Sequence, residues 1–116
     1  MKKIRQKVWN RIDMNGSYIA AELPASSENL RRWAAIFLNK NHHTRANKTT
    51  PPHKYSVLNF ELDKLLMTEY IGDEDLIMVN KKRYYVNTEE ELYQILEQIG
   101  ADPELFDAPW HCEYPL

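Results

Sequence analysis

The strongest constraint on the fold is a helix whose two ends are both marked in the sequence, between residues 88 and 100. Thr88 and Glu91 have the spacing of a capping box, in which a hydroxyl and a carboxylate accept hydrogen bonds from backbone amides that start a helix. Gly100 is a typical stop, because glycine readily adopts the left-handed conformation that ends helices. The preceding run RYYV, residues 83–86, favours a β-strand. The apolar stripe of the helix is Leu92, Ile95, Leu96 and Ile99.

Turn residues predict two β-hairpins. Asn15 and Gly16 form the dipeptide that best tolerates a type I′ turn, so residues 8–14 and 17–23 are predicted to pair. The second hairpin is predicted within residues 76–86, where a three-residue polar turn separates LIMV from RYYV.

Helical spacing predicts two further helices. Residues 55–61 alternate briefly, and residues 58–70 then return to helical spacing, which predicts a short extended entry followed by a helix. Together with the hairpins, these elements predict one α+β domain over residues 1–116, with an antiparallel sheet from two hairpins packed against about three helices. The helix before the basic segment is predicted from five apolar residues: Leu30, Trp33, Ala34, Phe37 and Leu38.

Two segments are predicted to lie outside the regular elements. Residues 39–54 contain many Lys, Arg and His and no large aliphatic side chain, so they are predicted to form a long exposed basic loop. Residues 101–116 are predicted to form an extended C-terminal tail, after a short turn started by Asp102 and Pro103.

Length and composition limit the class of protein. A chain of 116 residues and 13.8 kDa is long enough for one hydrophobic core. Cys112 is the only cysteine, so no intramolecular disulfide can form. The longest aliphatic run, Leu76–Val79, is far shorter than a membrane span. We therefore expect a cytoplasmic protein without a membrane partner.

The charge is divided by position along the chain. Residues 1–54 hold 11 Lys and Arg against 3 Asp and Glu, a formal charge of +8. Residues 55–116 hold 4 against 14, a formal charge of −10, which leaves the whole chain at −2. Such a division favours electrostatic steering of a partner.

Residues for catalysis or cofactor binding do not form a recognisable pattern. The three glycines occupy turns or caps, so a loop that binds phosphate is absent. Cys112 and a histidine would form a nucleophile and base only if the fold brought them together, which leaves a small hydrolase as a third interpretation. We predict no catalytic, cofactor or metal residues. Five residues have the right chemistry for zinc but poor spacing: His42, His43, His53, His111 and Cys112.

A binding surface is better supported than an active site. Carboxylates around exposed aromatic residues can cover the cationic active site of a nuclease, with the aromatic side chains as anchors. An acidic surface that only improves solubility is the alternative reading for any single residue. The candidate partner-binding residues are Glu69, Asp73, Glu74, Asp75, Asp107, Trp110, Glu113 and Tyr114.

The chain resembles the immunity proteins of bacterial contact-dependent inhibition and related polymorphic toxin systems. The features that carry the resemblance are the acidic segment, the strand, cap and helix unit YYVNTEEELYQILEQIG and the end PWHCEYPL. The resemblance implies a non-enzymatic cytoplasmic protein that binds a cognate toxin domain, often a nuclease, and blocks its active site or another essential surface. The basic first half differs from a uniformly acidic inhibitor, which leaves open an acidic toxin or a toxin held by both faces.

A nucleic-acid-binding accessory protein is the alternative function. Residues 40–54 could contact phosphates, although aromatic residues for base stacking are missing before Tyr55.

Overall fold

A four-stranded antiparallel sheet with the strands in chain order forms the centre of the molecule. The structure is a computed structural model that describes residues 3–13, 17–39, 53–69 and 77–115, with the side chains of 68 and 69 left out. The α+β class predicted from the sequence is confirmed. The elements are α1 (Gln6–Asp13), β1 (Ile19–Leu23), β2 (Leu30–Leu38), β3 (Tyr55–Asp63), α2 (Lys64–Glu69), β4 (Val79–Val86), α3 (Glu89–Gln98) and two 3₁₀ turns, Pro103–Leu105 and Pro109–Cys112.

The two faces of the sheet pack into two separate hydrophobic cores. The first core lies under α1 and α3, where Ile12, Leu92 and Leu96 are fully buried. The second core lies on the opposite face and is covered by side chains from α2, residues 77 and 78 and the C-terminal segment. Its buried residues are Trp33, Leu58, Phe60 and Leu62.

The helix predicted after residue 88 is confirmed as α3. The Thr88 hydroxyl accepts a hydrogen bond from the Glu91 amide at 3.1 Å, and the Glu91 carboxylate accepts one from the Thr88 amide at 3.2 Å. Gly100 has φ of +75°, the left-handed conformation expected after a helix. The short turn predicted at Asp102 is also present, with its carboxylate accepting from the Glu104 amide at 3.0 Å.

The first predicted hairpin is wrong, because residues 6–13 form α1. Val8 and Ile12 are four apart, and this spacing puts two side chains on one side of either a helix or a strand. Trp9 decides between them, since Trp9 and its neighbour Val8 both enter the first core, whereas neighbouring side chains of a strand point to opposite faces. Asn15 and Gly16 lie outside the described residues.

The helix predicted over residues 30–38 is also wrong, because this segment is β2. Strand β2 is central and pairs with β1 on one side and β3 on the other. Ala34 and Ile36 enter the first core, whereas Trp33 enters the second. A strand buried on both faces has a continuous apolar run, which periodicity cannot distinguish from a buried helix.

The extended entry predicted after residue 55 is longer than expected. Strand β3 continues to Asp63, and the helix begins only at Lys64. Leu58 and Leu62 are again four residues apart, and both lie in the second core. The predicted order of strand and then helix is therefore right, with the boundary misplaced.

The second predicted hairpin is wrong, because its turn lies inside the single strand β4. Glu61 of β3 pairs with Val79, whereas Asn59 pairs with Lys82, so β4 contains an extra residue. Asn80 takes this position with φ of +53°. The turn-forming residue therefore makes a β-bulge.

The prediction of an extended tail over residues 101–116 also needs correction. The described part, to residue 115, contains both 3₁₀ turns. It pairs with β1 through two backbone hydrogen bonds between Ala20 and Asp107, with N···O distances of 2.9 and 3.0 Å.

The predicted basic loop is described only at its base, where the Asn39 amide donates to the Lys54 carbonyl at 2.8 Å. Residues 40–52 lie outside the described part of the chain.

Candidate partner-binding surface

The C-terminal segment is fixed to the sheet at two points, which gives the residues between them a defined position. Asp107 pairs with Ala20 on the outer edge of β1. The Trp33 indole N–H donates to the Cys112 carbonyl at 2.9 Å. The second 3₁₀ turn lies between these contacts and starts at Pro109, whose fixed φ favours the first position of a helix.

Trp110 projects from this turn into solvent. Its exposed fraction is 68%, whereas every other described Phe, Trp or Tyr is buried or half-buried. The guanidinium of Arg11 in α1 lies over its ring, 4.7 Å from the centroid. An exposed tryptophan beside an arginine on a fixed backbone has the composition of a protein-binding hot spot.

Asp107 is already used within the fold. Its carboxylate accepts a hydrogen bond from Arg5 at 2.8 Å and lies 3.3 Å from His111 Nδ1. It also accepts from the Ala108 amide at 2.8 Å. Burial alone would raise the pKa of Asp107, but these hydrogen bonds and the nearby His111 lower it below its ordinary 3.8.

A groove of about 260 Å³ lies between α1 and the second 3₁₀ turn. Of the lining residues that the structure describes, Asp107 is the only carboxylate, and it is paired with Arg5 and His111. The groove is therefore basic, with Trp110 as part of its apolar wall. The basic residues that line it are Arg5, Lys7, Arg11 and His111.

Glu113 and Tyr114 have opposite environments. The Glu113 side chain is 79% exposed and lies 3.6 Å from Arg31. The Tyr114 ring packs between Tyr18 and Phe60, with centroids 5.6 and 5.8 Å away. Burial raises the pKa of Tyr114, and its hydroxyl has no hydrogen-bond partner among the described residues. Tyr114 is therefore part of the second core and not an exposed anchor.

The structure does not describe the side chains of the remaining candidate acidic residues, so it does not place them on this surface. Glu69 is the last residue of α2, and only its backbone is described. Asp73, Glu74 and Asp75 lie outside the described residues. Met67 of α2 packs on the second core together with Cys112, so α2 and the C-terminal segment cover the same face of the sheet.

A second groove, on α3, was missed by the sequence reasoning. It has a volume of about 790 Å³ and lies between α3, the first 3₁₀ turn and Lys3. Three carboxylates lie in the first turn of α3, where the helix dipole favours negative charge, and one of them, Glu91, belongs to the capping box. A polar stripe at helical spacing on the side of α3 opposite the buried stripe could have indicated this groove from the sequence. Its residues are Glu90, Tyr93, Gln94 and Glu97.

The candidate nucleophile Cys112 is a half-buried free thiol in the C-terminal segment. The Cys112 thiol donates to the Pro109 carbonyl at 3.5 Å. Burial raises the pKa of the thiol above its ordinary 9.0, which opposes formation of the reactive thiolate. Of the two described histidines, His53 has its ring 4.6 Å from that of Tyr85, and His111 Nδ1 lies 3.3 Å from the Asp107 carboxylate.

Metal-binding groups are absent from the part of the chain that the structure describes: no three His, Cys, Asp or Glu side chains are grouped closely enough there to hold an ion. Among the described helices, none has the length and apolar character needed to cross a membrane.

Comparison with known proteins gives no relative. No family model, curated protein or solved structure matches this chain.

Proposed function

We propose that this protein is a non-enzymatic immunity protein that binds a cognate bacterial toxin domain in the cytoplasm and neutralises it by covering an essential surface. The observation that carries the proposal is the exposure of Trp110 on a turn whose backbone is fixed to β1 and Trp33. A large aromatic side chain gains free energy when a partner removes it from water.

Support also comes from the preorganised setting of this side chain. Because the turn is hydrogen-bonded at both ends, little backbone entropy is lost when a partner binds there. Arg11, beside Trp110, belongs to the residue types enriched in hot spots. The nucleic-acid alternative depends on residues 40–54, most of which lie outside the described structure, and it is an outcome of the same test.

The test uses the toxin domain encoded directly upstream of the gene for this chain, co-expressed in a sensitive bacterium. Cells that carry the wild-type protein should survive, and the two proteins should co-purify in equal amounts. We expect Trp110→Ala to lower the affinity at least about tenfold, the cost of losing a hot-spot residue. The change in affinity is measured by isothermal titration calorimetry.

Leu105→Ala is the matched control, since Leu105 is also an exposed apolar residue, on the other 3₁₀ turn, with an exposed fraction of 53%. This variant should bind and protect like the wild type. Absence of binding by the wild-type protein, or recovery of nucleic acid in place of a protein partner, would contradict the proposed function. Equal losses of affinity in the two variants would show that Trp110 is not a hot-spot residue.

A further inference from the structure

The groove beside Trp110 contains two cations without an ionic partner in the described structure. Lys7 and Arg11 lie four residues apart in α1, so they occupy neighbouring positions on the same side of the helix. No hydrogen bond or ion pair joins either side chain to another described residue. The Arg11 guanidinium lies over the Trp110 ring, and its Nε atom is buried without a hydrogen-bond partner among the described residues.

The groove cannot neutralise these cations from its own residues. Among the described residues of its lining, Asp107 is the only carboxylate, and Arg5 and His111 are paired with it. Like charges four residues apart destabilise a helix slightly, and a buried N–H group without a partner is also unfavourable. An anion that enters the groove would offset the repulsion between the two cations.

We infer that this groove is a carboxylate receptor: Lys7 and Arg11 bind an acidic side chain of the toxin while Trp110 packs on an apolar residue beside it. This inference rests on the proposed function and adds the chemistry of the partner. The toxin surface that is covered is therefore acidic at this point, and it is not the cationic phosphate-binding site of a nuclease.

The position of Arg11 favours a protein over a single-stranded nucleic acid. Base stacking needs a free aromatic face, and the guanidinium of Arg11 already covers one face of Trp110 at 4.7 Å. A carboxylate needs no aromatic face, because it can accept hydrogen bonds from the guanidinium edge. Charge complementarity therefore selects an anionic group, and under the proposed function this group is a carboxylate of the toxin.

The experiment compares the binding of the toxin domain encoded upstream to four forms of the full chain: wild type, Lys7→Gln, Lys7→Gln with Arg11→Gln, and Lys81→Gln. Lys81 is an exposed lysine in β4, at the opposite edge of the sheet, and its substitution removes one positive charge, as Lys7→Gln does. Dissociation constants are measured by calorimetry over a range of salt concentrations. Thermal unfolding identifies any variant that does not fold.

We expect the double variant to lose at least about tenfold in affinity and to depend less on salt, because charge pairs at the interface are lost. Lys7→Gln should lose part of this affinity. If the double variant does not fold, the single variant Lys7→Gln still tests the groove. Lys81→Gln should match the wild type. A fluorescent single-stranded oligonucleotide, titrated with the same proteins, should not bind through Lys7 and Arg11.

Two results would overturn the inference. Toxin binding that is unchanged in the folded Lys7 and double variants would show that the groove is not the receptor, while the proposed function would stand. Oligonucleotide binding that disappears in the double variant would assign the groove to phosphates. If the wild type does not bind the toxin at all, the proposed function itself fails, and the two failures are therefore distinguishable.

Discussion

At the scale of single residues, two aromatic side chains in the last eight residues illustrate what the sequence can predict. Trp110 and Tyr114 were both predicted as anchors for a partner, yet Trp110 is exposed and Tyr114 is packed in the second core. Composition cannot separate them, because both lie near prolines in the same short segment. The difference comes from Phe60 and Tyr18, which the fold places where Tyr114 can cover them.

The buried hydroxyl of Tyr114 gives a prediction for stability. Replacing Tyr114 with Phe removes a polar group without a described partner and keeps the ring, so the free energy of unfolding should stay the same or rise by about 1 kcal/mol. Tyr114→Ala should lower it by about 2–3 kcal/mol, since a partly buried ring is removed from the second core. Urea unfolding measures both changes. A loss above about 1 kcal/mol in the Phe variant would mean that the hydroxyl makes a stabilising hydrogen bond.

At the scale of elements, predictions succeeded where local chemistry marks an end and failed where spacing alone was used. The capping box of α3 requires a hydroxyl and a carboxylate at one spacing, and few other structures use that pair. Val8 with Ile12 and Leu58 with Leu62 are four residues apart, which suits a helix and a strand equally. Only tertiary contacts, which depend on residues far along the chain, decide between the two.

The cap of α3 gives the second prediction. Thr88→Ala removes the hydroxyl that accepts from the Glu91 amide at 3.1 Å, and the free energy of unfolding should fall by about 0.5–2 kcal/mol. Thr88→Ser keeps the acceptor and should change stability much less. Chemical denaturation compares the three proteins. Equal losses for Ala and Ser would show that the Thr88 methyl group, and not the hydroxyl, stabilises this helix start.

At the scale of the whole molecule, the two charged halves of the sequence are interleaved by the fold. Cations of the first half line the groove beside Trp110, which also contains Asp107 from the second half. Carboxylates of the second half line the groove on α3, which also contains Lys3 from the first. The sequence predicts that the two halves of the chain carry opposite charges. Which residues share a surface depends on the topology of the fold, and the wrongly predicted hairpins and helix gave a different topology.

Two buried or half-buried carboxylates predict how stability depends on pH. For Glu61, burial alone would raise the pKa, but hydrogen bonds from the Ser26 amide at 2.7 Å, Asn80 at 2.6 Å and the Ser26 hydroxyl lower it below its ordinary 4.5. The pKa of Asp107 is lowered as well. Because the unfolded chain binds protons more readily at these groups, their stabilisation is complete above their ordinary pKa values and is lost as the pH falls.

The free energy of unfolding should therefore decrease as the pH is lowered from 6 toward 3. Glu61→Gln should be less stable than the wild type at neutral pH, and the difference between the two should become smaller in acid. Urea unfolding at a series of pH values tests this expectation. A difference that grows in acid would mean that the ionised Glu61 carboxylate destabilises the fold.

The two edges of the sheet are protected from strand pairing in different ways. The chain itself occupies part of the outer edge of β1 through Asp107, whereas β4 carries exposed cations at Lys81, Lys82 and Arg83. Exposed strand edges are common starting points for aggregation, and charged side chains there discourage it. These two features would consequently limit edge-to-edge association at high concentration, and contacts with other molecules would use side chains in preference to backbone.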